Sequence, residues 1–151
     1  MPALPGYKGF LVTIDYKLTL EEMIKACGFA DCDYAEFIAE RFEVSGIGVV
    51  QQEIVLIEFD ARIILRDFVV EGMMALGLEP AKIEHALALG KQYPEVQRER
   101  PVVFFGSTWH SYAPTLGNWT DGRRIRCDCW RNGYYSENRF AAVRKIPNAV
   151  S

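Results

Sequence analysis

Two histidines and no glycine-rich phosphate loop leave this 151-residue sequence short of common catalytic parts. No Walker-type glycine–lysine motif is present, and Gly46-Ile47-Gly48 precedes a strand-like run, the wrong order for a dinucleotide site. No uninterrupted apolar run nears the roughly 18–20 residues of a spanning helix, so no membrane span is expected. The first six residues carry no basic segment and no long apolar stretch. They do not read as a secretory signal, and the expected location is the cytoplasm unless export takes another route. A net charge of -3 lacks the basic excess of a phosphate-binding domain. Nucleic acid is therefore not expected as a partner, although Arg123, Arg124, Arg126 and Arg131 lie close together. Cys27, Cys32, Cys127 and Cys129 show no C-x-x-C spacing and read as reduced, partly buried thiols, with a zinc site or disulfides as the lesser alternatives.

What is there has ordinary globular proportions, 50% apolar and 25% charged. The length suits one domain over residues 1–151, and no linker or repeat divides it. Residues 9–16 alternate as a strand with Phe10, Val12, Ile14 and Tyr16 on one face. Thr19 with Glu22 makes a capping box for a helix ending near Gly28. Asp33 with Glu36 repeats the pattern ahead of an apolar stripe of Tyr34, Phe37, Ile38 and Phe42. Residues 49–59 are rich in β-branched side chains and predict a long strand. Asp60 is the expected N-cap of a helix to Leu76, with Gly77 just beyond its end and Ile64, Phe68 and Met74 toward the core. Its nearly all-round apolar surface predicts deep burial. Pro80 is placed in the first turn of a second helix that ends before Pro94 and packs through Ile83, Ala86, Leu87 and Gly90. Residues 95–100 read as a charged, exposed link, 102–105 as a short buried strand, and 106–121 as a long polar and aromatic connection. A strand over 124–130, a hairpin signal at Asn132-Gly133 and a last strand over 140–146 complete the chain.

Residues 124–130 are the most informative. Alternation puts Ile125, Cys127 and Cys129 on a face that can be buried, and Arg124, Arg126, Asp128 and Trp130 on the other. An indole on a polar strand face is unusual unless it lies under a loop or meets a ligand. The next turn adds Asn132, Tyr134, Tyr135, Ser136 and Asn138, and the preceding loop adds His110, Ser111, Tyr112, Asn118 and Trp119. Aromatic, arginine, asparagine and serine side chains are those that binding surfaces favour. The plainer alternative makes them loop polar groups, with Trp109, Trp119 and Trp130 anchoring a small core. Ser107 and His110 lack the strained elbow of a nucleophile, and His85 beside Glu84 fits a surface or capping histidine. No cofactor motif and no clear calcium-ligand cluster is found.

The run Phe105-Gly106-Ser107-Thr108-Trp109, the polar strand, and the run from Asn138 to Arg144 resemble the closing third of a C-type-lectin-like domain. That fold recurs in the formylglycine-generating enzyme group and in the variable proteins of diversity-generating retroelements. The resemblance covers about residues 101–147. It implies an α+β, C-type-lectin-like single domain whose strands near 10–16 and 140–146 pair antiparallel, with helices near 61–76 and 79–92 packed on the sheet. It also implies a variable ligand-binding region at about 107–138. In that family, mutagenesis at template adenines scatters asparagine codons to residues such as Tyr, Ser, Asp, His and Arg. His110, Tyr112, Asn118, Arg124, Arg126, Asp128, Asn132, Tyr134, Tyr135 and Asn138 mostly belong to that set; Trp130 does not arise from an asparagine codon in this way.

Two functions are therefore expected to compete. One is a non-enzymatic binding module that recognises a protein or other macromolecule through these residues and Trp119. The other is an enzyme or metal-dependent site in the same loops, with Cys127, Cys129 and His110 as candidates. A shared scaffold does not decide between them. The oligomeric state is open.

Overall fold

The computed structural model describes residues 8–29, 35–59, 61–119, 122–131, 133–134 and 137–144, without the side chains of Lys8 and Trp119. It is a mixed α+β fold. Strands β1 (Lys8–Asp15), β2 (Val49–Ile57), β3 (Glu79–Pro80), β4 (Val102–Val103), β5 (Tyr112–Trp119), β6 (Gly122–Cys129) and β7 (Arg139–Arg144) form one sheet. Its order is β1-β2-β7-β4-β5-β6, with β3 also on β7. Helices α1 (Leu20–Ala26), α2 (Ala35–Arg41), α3 (Arg66–Ala75), α4 (Ile83–Gln92) and α5 (Pro94–Glu99) complete it. No helix among the described residues is long and apolar enough to cross a membrane.

The expected pairing of the first and last strands is corrected by this order. β1 pairs β2, and β2 pairs β7, both antiparallel. The side chains explain why. Phe140, Ala141, Ala142 and Val143 are buried on both faces of the sheet, as an unbroken apolar run requires of a central strand. In β1 only one face is buried: Val12 and Ile14 are covered while Leu11 and Thr13 are exposed, the pattern of an edge. That edge is closed by side chains. Tyr93 donates to the Leu11 carbonyl at 2.7 Å, and Gln92 exchanges two hydrogen bonds with the Thr13 backbone.

One apolar layer, with Val12, Ile14, Ile54, Leu56, Phe104, Leu116, Ile125 and Cys127, lies under α1, α2, α4 and α5; we call this the near face. The far face, with Val55, Ile57, Val103, Phe105, Phe140 and Ala142, packs against Val69 and Met73 of α3 and against Ile64. The Thr19 capping box forms as predicted, and Gly77 follows α3 at φ 74°.

Several elements differ from the sequence expectation. Asp60 lies outside the described residues, and the helix starts only at Arg66, because the segment before it pairs instead with the chain near Tyr134. Val69 and Met73 face the core, not Phe68 and Met74, which are exposed. Pro80 belongs to β3 rather than to a helix, and α4 begins at Ile83, whose amide donates to the Ser107 hydroxyl at 2.9 Å. The charged link is α5, with Val96 and Gln97 buried. The connection over 106–121 is largely β5, where Pro114 is tolerated because β4 beside it is only two residues long. Asn132 and Ile146 lie outside the described residues. The chain around Gly133 does not join sheet neighbours, since β4 and β5 stand between β6 and β7.

β3 and β4 share one edge of β7 end to end, pairing Ala142–Val143 and Arg139–Phe140 respectively. Gly106 sits where they meet. A Cβ there would lie 2.5 Å from the carbonyl oxygens of both Pro80 and Ala81. Gly106→Ala should therefore cost about 2 kcal/mol or more in urea unfolding; an unchanged midpoint would show that the close approach does not exist. His85, expected at the surface or as a cap, is a buried cap. Its Nδ1 accepts from the Lys82 amide at 2.8 Å, and Nε2 lies 2.6 Å from Gln52 Oε1. Burial, then the Lys82 charge, lower its pKa to about 4. Below the unfolded value of about 6.5 the unfolded chain takes up a proton that the folded one resists. His85 then lowers stability by about 3 kcal/mol as pH falls from 6.5 toward 4. Denaturant unfolding of His85→Gln across that window should be flatter than that of the parent by this amount.

Candidate functional site

Strand β6 carries its alternation as predicted. Ile125 and Cys127 are buried on the near face, while Arg124, Arg126 and Asp128 are half-buried on the far face. Cys129 keeps the parity of Cys127 but emerges exposed at the strand end. Opposite β6 on the far face, β5 presents Ala113, Thr115 and Gly117. Thr115, wholly buried, donates to the Ala113 carbonyl at 3.5 Å, and Arg126 Nε lies 4.0 Å from the Asp128 carboxylate. Burial raises the Asp128 pKa, against the lowering pull of Arg126 and Thr115.

Beyond β6 the chain crosses the end of the far face. Tyr134 exchanges two backbone hydrogen bonds with Ile64, at 2.7 and 2.8 Å, which ties the segment before α3 to this end of the sheet. Gly133 makes the contact possible: a Cβ there would stand 2.8 Å from Ile63 and 2.9 Å from the Ile64 carbonyl oxygen. The bridge delivers Arg66, at the start of α3, over two rings. Its guanidinium carbon lies 5.2 Å from the centre of Trp130 and 5.9 Å from that of Phe105. Phe105 in turn packs edge-on to Tyr134 at 5.8 Å.

This cluster concentrates unsatisfied polar groups. Among the described residues five buried side-chain atoms have no hydrogen-bond partner, and three of them are Arg66 Nε, Trp130 Nε1 and Tyr134 Oη. Native proteins pair nearly all such groups. Tyr134 is 8% exposed. Its ionisation is pushed up by burial first, then by Asp128 and Cys129, so it stays a neutral hydroxyl. The Arg66 Nη1 lies 3.3 Å from Asp67.

The predicted residues thus separate. Arg124, Arg126, Asp128, Trp130 and Tyr134 share the far face. His110 and Tyr112 flank Trp109, which packs on the near-face core; His110 adopts φ 54° and meets the indole edge-on at 4.3 Å. Asn118 is exposed near the β5–β6 turn, six residues along the strand from Tyr112, or about 20 Å. Asn138 is half-buried ahead of β7 and has interactions of its own. Asn132 and Tyr135, like the Trp119 side chain, lie outside the described residues. The nine described ones do not gather at one place. Sequence reasoning missed Arg66 and Thr115; the charged pair Arg66-Asp67 between Leu65 and Phe68 was the available signal for the first. Arg123, grouped with a basic patch by sequence, is instead an anchor: its guanidinium donates to the Cys27 and Gly90 carbonyls.

Among the described residues no group of three or more potential metal ligands comes together. Cys127 is buried, and its thiol is pushed up to about 12 by burial and then by Asp128. It is protonated at neutral pH, the unreactive form of a cysteine.

Removing a buried hydroxyl that bonds nothing should cost nothing. Tyr134→Phe is expected to leave the thermal midpoint unchanged or raise it. A loss above about 1 kcal/mol would mean that the hydroxyl is held internally. Comparison with family models, with curated proteins and with solved structures finds no match to this chain.

Proposed function

We propose that this chain is a non-enzymatic binding domain that recognises a protein partner through the far face of its sheet, at the end of β6. The observation that carries the reading is the convergence of Arg66 Nε, Trp130 Nε1 and Tyr134 Oη, all buried and without partners. Each unpaired group costs about 1–3 kcal/mol. A fold that needed only packing would be better served here by apolar residues.

The surroundings favour a protein over a small polar ligand. Ile63 and Leu65, 55% and 54% exposed, border Gly133, and Phe68, 41% exposed, follows in α3. Tryptophan, tyrosine and arginine within an apolar surround are the residues that dominate protein interfaces. Because the groups sit just past β6, tied down by the Ile64–Tyr134 bridge, and at the head of α3, little ordering is left to oppose association.

A narrower form of the proposal is the diversified one, a C-type-lectin-like variable protein. Exposed Tyr112 and Asn118 suit it, whereas buried Tyr134 would belong to the constant scaffold. The separation of β1 from β7 by β2 departs from the strand pairing that fold implies, so the main proposal rests on the cluster alone. A near-copy of the DNA encoding residues 107–138, differing mainly at adenines and lying beside a reverse transcriptase gene, supports the narrower form; its absence removes it. The enzymatic alternative loses one of its three candidates, Cys127, which is buried and protonated, and keeps exposed Cys129 and His110.

A photo-crosslinking residue at Leu65, in extract of the source organism, tests the main proposal. One discrete adduct is expected, reduced at least tenfold by Arg66→Ala with Trp130→Phe at an unchanged melting temperature. An adduct indifferent to these changes, or a collapse in melting temperature, overturns it.

A further inference from the structure

The surface around the far-face cluster is basic as well as apolar. Arg62, Arg66, Arg124 and Arg126 stand there against Asp67 and Asp128, on a chain whose net charge is -3. Each aspartate lies beside an arginine: Asp67 Oδ1 is 3.3 Å from Arg66 Nη1, and Asp128 Oδ1 is 4.0 Å from Arg126 Nε. Arg62 is exposed and makes no ion pair among the described residues. The next acid on α3, Glu71, stands more than a turn beyond Arg66.

Arg66 is the cation best placed to take a guest. The Trp130 and Phe105 rings fix its guanidinium, yet its side chain is 32% exposed. Of its three nitrogens only Nε is both idle and sealed from water. Nη1 meets exposed Asp67, while Nη2 is unbonded and open to water. An exposed pair between sequence neighbours is worth little, so the Asp67 contact is readily exchanged. Apolar surface adjoins this edge. A Cβ on Gly133 would meet Ile63 at 2.8 Å and Leu65 at 3.1 Å, so these two exposed side chains lie together directly before Arg66.

The guanidinium fork can give one carboxylate two parallel bonds. A long phosphate backbone would also meet the acidic remainder of the chain. An anionic bilayer is held by runs of basic residues, whereas these arginines are interleaved with aspartates.

We infer that the partner presents an acidic segment, with an aspartate or glutamate carboxylate on the open edge of Arg66 and flanking apolar side chains on Ile63, Leu65 and Phe68. This rests on the binding role proposed above and adds the chemistry of the partner.

The photo-crosslinked adduct at Leu65 of the whole chain, formed in extract with competitors added, tests the inference. A soluble peptide of mixed glutamate and leucine is expected to reduce the adduct at least tenfold, and its glutamine counterpart to leave it unchanged. Raising sodium chloride from about 0.05 to 0.5 M, which shortens the screening length, should lower the yield at least threefold. Arg66→Gln should lower it at least tenfold at an unchanged melting temperature. Arg62→Glu, at an exposed position, should also lower it and carries the test if Arg66→Gln does not fold. Equal competition by the glutamine peptide, competition by single-stranded DNA or phosphatidylserine vesicles, indifference to salt, or a full yield in either folded variant overturns the acidic partner and leaves the binding role standing. No adduct in the parent overturns both.

Discussion

The structure is arranged around the burial of β7 on all four sides. Phe140 and Ala142 face one apolar layer and Ala141 and Val143 the other, while β2 fills one edge and β3 and β4 divide the other. An unpaired backbone group inside such a strand would cost as much as a lost hydrogen bond, so both edges must be supplied. β4 reaches only Arg139 and Phe140; the next amides are served by β3, and the Ala81 amide donates to Ala141 at 3.0 Å. The junction between the two short strands is therefore obligatory, and Gly106 permits it, with its amide donating to the Ala81 carbonyl at 2.7 Å. Arg139, 6% exposed, fixes the entry to β7 by holding the Val96 and Arg100 carbonyls.

From that centre the sheet extends unequally. Toward β1 it ends in an edge whose outward carbonyls and amides are occupied by Gln92 and Tyr93. Toward β6 it is held from the near face by Gln97, buried and donating to the Gly117 and Arg124 carbonyls, and by Arg123. With the near face so secured, the far face of β5 and β6 is relieved of most packing duty. Polar and aromatic side chains stand there, and the three unpaired groups among them cost the fold about 3–9 kcal/mol together.

Local signals in the sequence translated faithfully where one element decides the outcome. The Thr19–Glu22 capping box, the one-sided alternation of β1 and the two-faced alternation of β6 all depend on neighbouring residues alone. The reading failed where distant chain segments compete. Pro80 resembles a helix start, yet β7 claims it. Asp60 resembles a cap, yet Ile64 is drawn out of the helix by two bonds to Tyr134, seventy residues away. The candidate site divides in the same way. Asp128, Arg126 and Trp130 follow from period-two alternation, whereas Arg66 reaches them only through the Ile64–Tyr134 bridge, which no local pattern announces.

That bridge also gives the far-face cluster its character. Its carboxylate, Asp128, already faces Arg126, whose Nε lies 4.0 Å away. Its idle atoms are the Arg66 and Trp130 N–H groups and the Tyr134 hydroxyl. The imbalance is one of donors over acceptors, and a partner that restores it must bring carbonyl or carboxylate oxygens rather than cations. Trp130 belongs to the chain leaving a rigid strand and Arg66 to the head of a separate helix, so a group bonded to both would join α3 to the sheet at a second point. Under the proposed binding role, association and stiffening of that end would be one event, and the rest of the partner would lie on the exposed side chains of Ile63, Leu65 and Phe68.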